Sequence, residues 1–310
     1  MILVTGAASF VGRSTVRHLA AAGYDVCCLL RPSQRDQRLP TGITLSTASA
    51  PFTDPPALRV AMRDVTTIVH LLREEETTQK GTLYDHVQGT ASLITAAQEV
   101  GVRRFIQLSR LGADRASAYP LFRTKGEAEA LVRESGLDYT ILQATLVYGA
   151  SDVFTNTLVM LAKMIPLILP LPNAGMSRFQ PLWVEDLAAC ITDTIERDEL
   201  VERVVPVGGP EHFTLKQMVA QILEAAGMNR LLFHMGMPLL RGMIRLFEAL
   251  LVYNPTPEWW LDVVAAGSAT ELGVISRHFD FEPGRFSQRL GYLRRKRPWR
   301  RDFLRFVLDY

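Results

Sequence analysis

The chain has 310 residues, 48% of them hydrophobic and 21% charged, with 34 Lys and Arg against 32 Asp and Glu. This composition excludes a disordered or collagen-like chain, and a net charge of +2 gives no bulk argument for nucleic acid as a partner. The length suits one large domain with a smaller appended region.

Ile2-Leu3-Val4 reads as a short apolar strand, so no signal peptide is expected. Thr5 to Gly12 (TGAASFVG) reads as a turn, followed by an amphipathic helix to about Ala22 that Gly23 closes. Tyr24 to Leu30 is the second strand and ends at Arg31-Pro32. After a polar helix, Val65 to Leu72 (VTTIVHLL) is a buried strand, and Thr82 to Val100 is a long helix closed by Gly101. Arg104 to Ser109 is the next strand, Pro120 to Ser135 a helix closed by Gly136, and Tyr139 to Ala144 a strand. Apolar strands alternating with amphipathic helices predict an α/β fold, a doubly wound parallel Rossmann sheet covered on both faces.

Beyond Ala144 the pattern is less regular. Ser151 to Ser177 is apolar and proline-rich, and its most apolar part, Leu158 to Leu171, is broken by Lys163, Pro166 and Pro170, which argues against a membrane span. Val184 to Glu196 reads as a helix and Val204 to Val207 as a short strand. Thr214 is placed to cap a following helix. Two segments rich in Met and Leu run from Leu231 to Tyr253, and a smaller, mostly helical C-terminal region is expected. The expected division is 1–150 for the dinucleotide-binding core, 151–180 for an apolar substrate-side insertion, 181–210 for a return to the core, and 211–310 for a helical C-terminal region with a basic tail.

Cys27, Cys28 and Cys190 lack metal-ligand spacing, so core packing, no metal site and a reducing, cytoplasmic compartment are expected. Leu239 to Tyr253 is amphipathic, with Arg241, Arg245 and Glu248 in one sector. Trp259-Trp260 and the basic block Arg294 to Arg301 follow it. One reading is a helix over a core and a solvated tail. The other is peripheral docking at the inner face of a membrane, on anionic lipid or on a membrane-bound protein complex.

The turn carries the first chemical signal. In a dinucleotide-binding turn the first glycine permits the bend, the second lets the backbone approach the pyrophosphate, and the third lets the helix pack on the strand. Gly6 and Gly12 hold the first and third places, while Ser9 replaces the second. A small residue with negative φ could still offer its amide at the helix N-terminus, so dinucleotide binding is expected. At the end of the second strand an acidic residue would accept from a ribose 2′-hydroxyl. Arg31 stands there instead and offers donors to a 2′-phosphate, which favours NADP(H) over NAD(H).

Thr5-Gly6…Gly12, Val69-His70-Leu71, Gly89-Thr90, Arg104-Phe105…Ser109, Asp138-Tyr139-Thr140-Ile141-Leu142…Val147-Tyr148-Gly149 and Gln180-Pro181…Val184-Glu185-Asp186-Leu187-Ala188 stand in order along residues 1 to 215. On these landmarks the chain resembles the extended and atypical short-chain dehydrogenase/reductase superfamily. Phe281-Glu282-Pro283…Phe286 and Leu290-Gly291-Tyr292-Leu293 are similar to the branch containing the nucleotide-binding accessory subunit of respiratory complex I and its bacterial relatives. The resemblance implies cofactor contacts from Gly6, Ala8, Ser9, Phe10, Val11, Gly12, Arg31, Leu71, Lys125, Ala144 and Leu146.

The superfamily's active site is a serine with a tyrosine four residues before a lysine. The tyrosine exchanges the proton, and the lysine lowers its pKa and holds the ribose. Ser109 and Lys125 fall at the serine and lysine positions, but Leu121 stands four residues before Lys125 and cannot exchange a proton. Tyr119, six residues before, is turned about 240° beyond a full turn at roughly 100° per residue. Because Pro120 suits the first helical position, Tyr119 is expected at the N-cap or just before it, packed on the rim. It completes the candidate catalytic set with Ser109 and Lys125.

His86 replaces the asparagine that commonly precedes the Val-x-Gly-Thr segment, and Gln143-Ala144 replaces the usual Arg-Pro. The aspartate near the adenine is displaced around Ala50-Pro51-Phe52. His70 and His86 are assigned structural roles. These departures point to an NAD(P)-binding protein with a degenerate active site in an accessory, assembly or sensing role. The alternatives are an NADP(H)-dependent reductase or isomerase of an apolar carbonyl, quinone or isoprenoid, and a scaffold that holds no nucleotide.

Overall fold

The computed structural model describes residues 1–32, 39–71, 83–165, 167–250 and 259–294. The expected strand end at Leu72, the helix start at Thr82, the break at Pro166, the end of the amphipathic segment at Tyr253 and the basic tail beyond Arg294 all fall on or run into positions outside the described residues. The chain divides into two compact units. The first comprises Met1–Ala144, Val184–Val207 and Arg277–Asp280; the second comprises Thr145–Trp183, Gly208–Ser276 and Phe281–Tyr310.

The first unit is built on a seven-stranded sheet. Its strands are β1 (Ile2–Thr5), β2 (Val26–Leu30), β3 (Ser46–Ser49), β4 (Thr67–His70), β5 (Arg104–Arg110), β6 (Asp138–Ala144) and β11 (Arg203–Val207). They lie in the order β11-β6-β5-β4-β1-β2-β3, and every neighbouring pair is parallel. A parallel sheet needs crossover helices, which cover both faces. Here α1 (Phe10–Ala21) packs with α6 (Val184–Asp193), while α3 (Leu83–Val100) packs with both α2 (Pro55–Ala61) and α4 (Pro120–Arg133). The alternation of strand side chains fills both layers: Leu3, Cys27, Ile68, Phe105 and Ile141 join one core cluster with Leu58, Leu93 and Val132 from the helices. Cys27, Cys28 and Cys190 are buried free thiols.

Polar ties place the elements. Arg104 is buried, and its guanidinium donates to the Asp138 carbonyl, to the Thr140 hydroxyl at 2.7 Å and to the Thr194 carbonyl at 2.9 Å, just past the end of α6. Glu185, in the first turn of α6, accepts from Ser14, Arg17 and His18 on α1 at 3.0 to 3.1 Å. The bond from His18 leads the set of partners that holds the Glu185 carboxyl below its usual range.

β3 has no counterpart in the sequence reading. Its STAS run is largely exposed at the sheet edge, so no apolar alternation marks it. The other boundaries shift by a few residues: β6 begins at Asp138, α4 ends at Arg133 and α6 ends at Asp193.

The second unit holds α5 (Val153–Met164), α7 (Leu215–Ala225), α8 (Met237–Leu250), α9 (Trp259–Ala266) and α11 (Phe286–Arg289), while α10 (Val274–His278) begins in it and ends in the first unit. Short strands pair between them: β7 (Val147–Tyr148) with β10 (Leu182–Trp183), β8 (Ile168–Pro172) with β13 (Leu231–Met235), and β9 (Arg178–Phe179) with β12 (Phe213–Thr214). Thr214 caps α7 reciprocally with Gln217 in a capping box. The Gln180 carboxamide is a hub: its Nε2 donates to the Gly209 carbonyl at 2.6 Å, and its Oε1 accepts from the Thr270 amide at 2.7 Å. Among the described residues, no helix is long and apolar enough to cross a membrane.

Candidate functional site

Strand order reverses between β1 and β4, and in open parallel sheets ligands bind in the crevice at the carboxyl ends of the strands flanking such a switch point. Gly6 and Leu71 directly follow these two strands, which run in register with Thr5 opposite His70. Gly6 has φ +66°, and a Cβ on it would collide with the Leu71 carbonyl oxygen. Gly12 has no room either, because a Cβ there would meet the Gly6 carbonyl. The first and third glycines therefore seat α1 against the strands.

Ser9 has φ −70° and ψ 169°, an extended conformation that a Cβ tolerates. Its amide differs from expectation: it donates to the Gly6 carbonyl at 2.9 Å and is spent on the turn. Its hydroxyl caps α1 by accepting from the Gly12 amide at 2.8 Å. The amides of Phe10 and Val11 have no hydrogen-bond acceptor among the described residues. These two donors at the positive end of the α1 dipole are what the turn offers to a pyrophosphate. Ala8 supports the same turn, its carbonyl accepting from the Arg13 guanidinium at 2.7 Å. The open amides fit the pyrophosphate of a dinucleotide.

Arg31 follows β2, the next strand over. Its guanidinium lies over the Phe52 ring, 5.6 Å from the centroid. Phe52 meets the His70 ring edge-on and packs against Gly89. An aromatic side chain thus stands in the segment where the resemblance would put an aspartate near the adenine.

His70 is buried at the end of β4 within a one-way hydrogen-bond chain. The Thr90 hydroxyl is 2.9 Å from the His86 carbonyl, which can only accept, so the Thr90 proton is committed there. Thr90 Oγ1 must then accept from His70 Nε2–H at 3.2 Å, leaving His70 Nδ1 to accept from the Thr5 hydroxyl at 2.9 Å. Thr5 Oγ1 in turn accepts from the Leu71 amide at 3.2 Å. Only a neutral imidazole satisfies this chain. Burial, then the charges of Lys125 and Arg31, lower His70 to about 3. His86 stacks on His70 with ring centroids 6.4 Å apart, and burial again drives its pKa well down. Neither ring nitrogen of His86 has a hydrogen-bond partner among the described residues.

The three candidate catalytic residues have different surroundings. Ser109 is buried, and its hydroxyl is 2.5 Å from the Glu129 carboxylate on α4, which also accepts from Gln143 Nε2 at 2.9 and 3.0 Å. This ties β5 and β6 to α4 and commits the serine proton. Burial raises the Glu129 pKa against those donors. Glu129 and Gln143 were not candidates, and the run Lys-Gly-Glu-Ala-Glu gave no sign that its second glutamate turns inward. Leu121 is buried. Tyr119 precedes α4 as its N-cap residue without a side-chain cap bond, its ring 6.0 Å from that of Phe122. Lys125 is buried, and its charge is felt at His70, His86 and Glu129. Ala144 ends β6, its carbonyl accepting from the Leu111 amide. Leu146 lies in the second unit and is buried, its carbonyl accepting from the Leu182 amide.

Residues 6–152 match a family model described as NAD(P)H-binding. The chain is 29% identical over 223 residues to the mitochondrial NADH dehydrogenase [ubiquinone] 1 alpha subcomplex subunit 9 of Arabidopsis thaliana, covering 69% of this chain and 55% of that protein. It is 33% identical over 143 residues to the photosystem II assembly factor Ycf39 of Cyanophora paradoxa, covering 46% of this chain and 44% of that protein. The matches thus span about half the length of these two relatives. It is also 27% identical over 233 residues to the NAD(P)H azoreductase of Xenophilus azovorans, covering 73% of this chain and 74% of that protein. In fold it is similar to an NADPH-dependent quinone oxidoreductase from Escherichia coli complexed with NADPH, with TM-score 0.76 and 18% identity over 94% of this chain and 99% of the other. The chain thus carries an NAD(P)H-binding domain over residues 6–152 on a Rossmann-like α/β fold, and its relatives include an NADH dehydrogenase [ubiquinone] subunit and a photosystem II assembly factor.

Proposed function

We propose that this protein holds NADP(H) as a structural or sensing ligand in an accessory or assembly role, without turning it over on alcohols and ketones. A bound nicotinamide supplies hydride, but carbonyl chemistry also needs a proton donor beside it. The carrying observation is that Leu121 is a buried hydrocarbon where the tyrosine is expected, while the Ser109 hydroxyl is committed to Glu129. The Phe10 and Val11 amides hold the pyrophosphate, and Arg31, over Phe52, meets the 2′-phosphate. The complex I subunit and the photosystem II assembly factor, both named for membrane complexes, support a peripheral partner of that kind. α8, which leaves Leu239 and Leu246 exposed, is the surface offered to it.

Titrating the full chain with NADPH and NADH while assaying carbonyl, quinone and azo substrates tests this. Binding that favours NADPH, without turnover, is expected; robust turnover overturns it. The azoreductase relative supports a second reading, a reductase of an apolar acceptor. In that reading Tyr119 is the proton donor, and full activity in Tyr119→Phe would remove it.

A further inference from the structure

The second unit encloses a cavity of about 320 Å³ that the nucleotide chemistry does not use. α5, β8, α7, α8 and α9 form its walls, and Leu161, Leu169, Val219, Ile244 and Leu261 represent its surface. Among the described residues that line it, Thr157 brings the one hydroxyl and no side chain is charged. The nearby Arg241 is engaged with Asp262 at 2.8 Å. Small-molecule sites start at roughly 300 Å³, and dry apolar cavities about half that size hold apolar guests.

The cavity also has an apolar approach. Met164 and Ile165 line it and are 41% and 40% exposed, so the same side chains face both lumen and solvent. Leu167 and Leu231, joined by a backbone hydrogen bond at 3.0 Å, are 76% and 68% exposed, and Ile168 is 43% exposed. Clustered exposed apolar side chains of this kind mark a place where apolar ligands or surfaces are met.

We infer that this cavity binds a single hydrocarbon chain of an amphiphile, entering past Met164 and Ile165, with its polar head left in solvent. The uncharged lining selects the chain and gives a charged head no partner inside. An acyl and an isoprenoid chain share this chemistry. The site does not depend on the nucleotide reading, because all its walls belong to the second unit.

The test uses the full chain and cis-parinaric acid, a fluorescent polyene fatty acid. Saturable binding at one probe per chain is expected, displaced by oleic acid, by farnesol, or by both, which identifies the source of the chain. Leu161→Trp and Met243→Trp fill the cavity and should each weaken probe binding at least tenfold. The NADPH affinity, measured on the same samples, should stay within twofold of wild type. Absence of saturable binding, or wild-type affinity in both variants when circular dichroism shows them folded, overturns the proposal. If the variants do not fold, energy transfer from tryptophan to the bound probe decides. A marked drop in Trp260→Phe supports the site, since Trp260 lines it, and unchanged transfer overturns it.

Discussion

Gly6 and Ser9 lie three residues apart and answer to different constraints. Gly6→Ala forces a Cβ into a left-handed backbone and against the Leu71 carbonyl. We expect a loss of at least about 1–3 kcal/mol of stability and of most dinucleotide affinity, read by chemical denaturation and NADPH titration. Ser9→Ala removes only the cap on Gly12. It should cost about 1 kcal/mol while changing NADPH affinity by less than threefold, because the amides of Phe10 and Val11 stay in place. An affinity loss comparable to that of Gly6→Ala would show that the serine hydroxyl contacts the ligand. Ser109 is a similar case. Its position at the end of β5 was legible, but its partner was not, because Glu129 lies 20 residues further on, on a helix whose periodicity does not say which strand it meets.

At the scale of elements, the two stacked histidines join β4 to α3, and Thr5 extends the chain to β1. Both rings are neutral in the fold and regain an ordinary pKa near 6.5 on unfolding. A depressed pKa in the folded state means the stabilisation is complete above about 6.5. It is lost as pH falls from there towards about 3 for His70, at up to about 1.4 kcal/mol per pH unit for each ring. Urea unfolding of apo protein between pH 7 and 5 should show this slope. His86→Phe keeps the stacked shape and removes one titrating ring, so its slope should be shallower than that of wild type by up to about 1.4 kcal/mol per pH unit, with the opposing contribution of buried Asp152, raised to about 6, common to both; an unchanged slope would assign the acid sensitivity elsewhere. Helix and strand periodicity made β4 and α3 legible. The proton chain was not, because it depends on which hydroxyls face one another across the sheet.

For the molecule as a whole, a family match to residues 6–152 suggests a self-contained domain, but the first unit takes α6 and β11 from residues beyond it. A fragment ending at residue 152 lacks Leu187, Cys190 and Ile191, all fully buried on α6, and leaves β6 as an open edge. Each aliphatic side chain of that kind contributes roughly 1.5–3 kcal/mol when buried. The fragment should show no cooperative thermal transition by circular dichroism, whereas a fully cooperative transition would mean that α6 is dispensable. Strong apolar runs announced the strands of the main sheet other than β3. The pairing of β8 with β13 and the chain's return to the first unit link distant segments, and local periodicity carries no record of such links.

That return has a consequence during synthesis. Between Ala144, which ends β6, and Arg203, which begins β11, the ribosome must build the intervening stretch of the second unit. At about 5–20 residues per second this takes roughly 3–12 s. For that interval the apolar β6 (DYTILQA) emerges with one ladder of amide and carbonyl groups open to any neighbouring nascent chain. Slow translation through residues 145–202 should therefore raise the yield of aggregated chains, and a chaperone that shields β6 until β11 arrives should lower it.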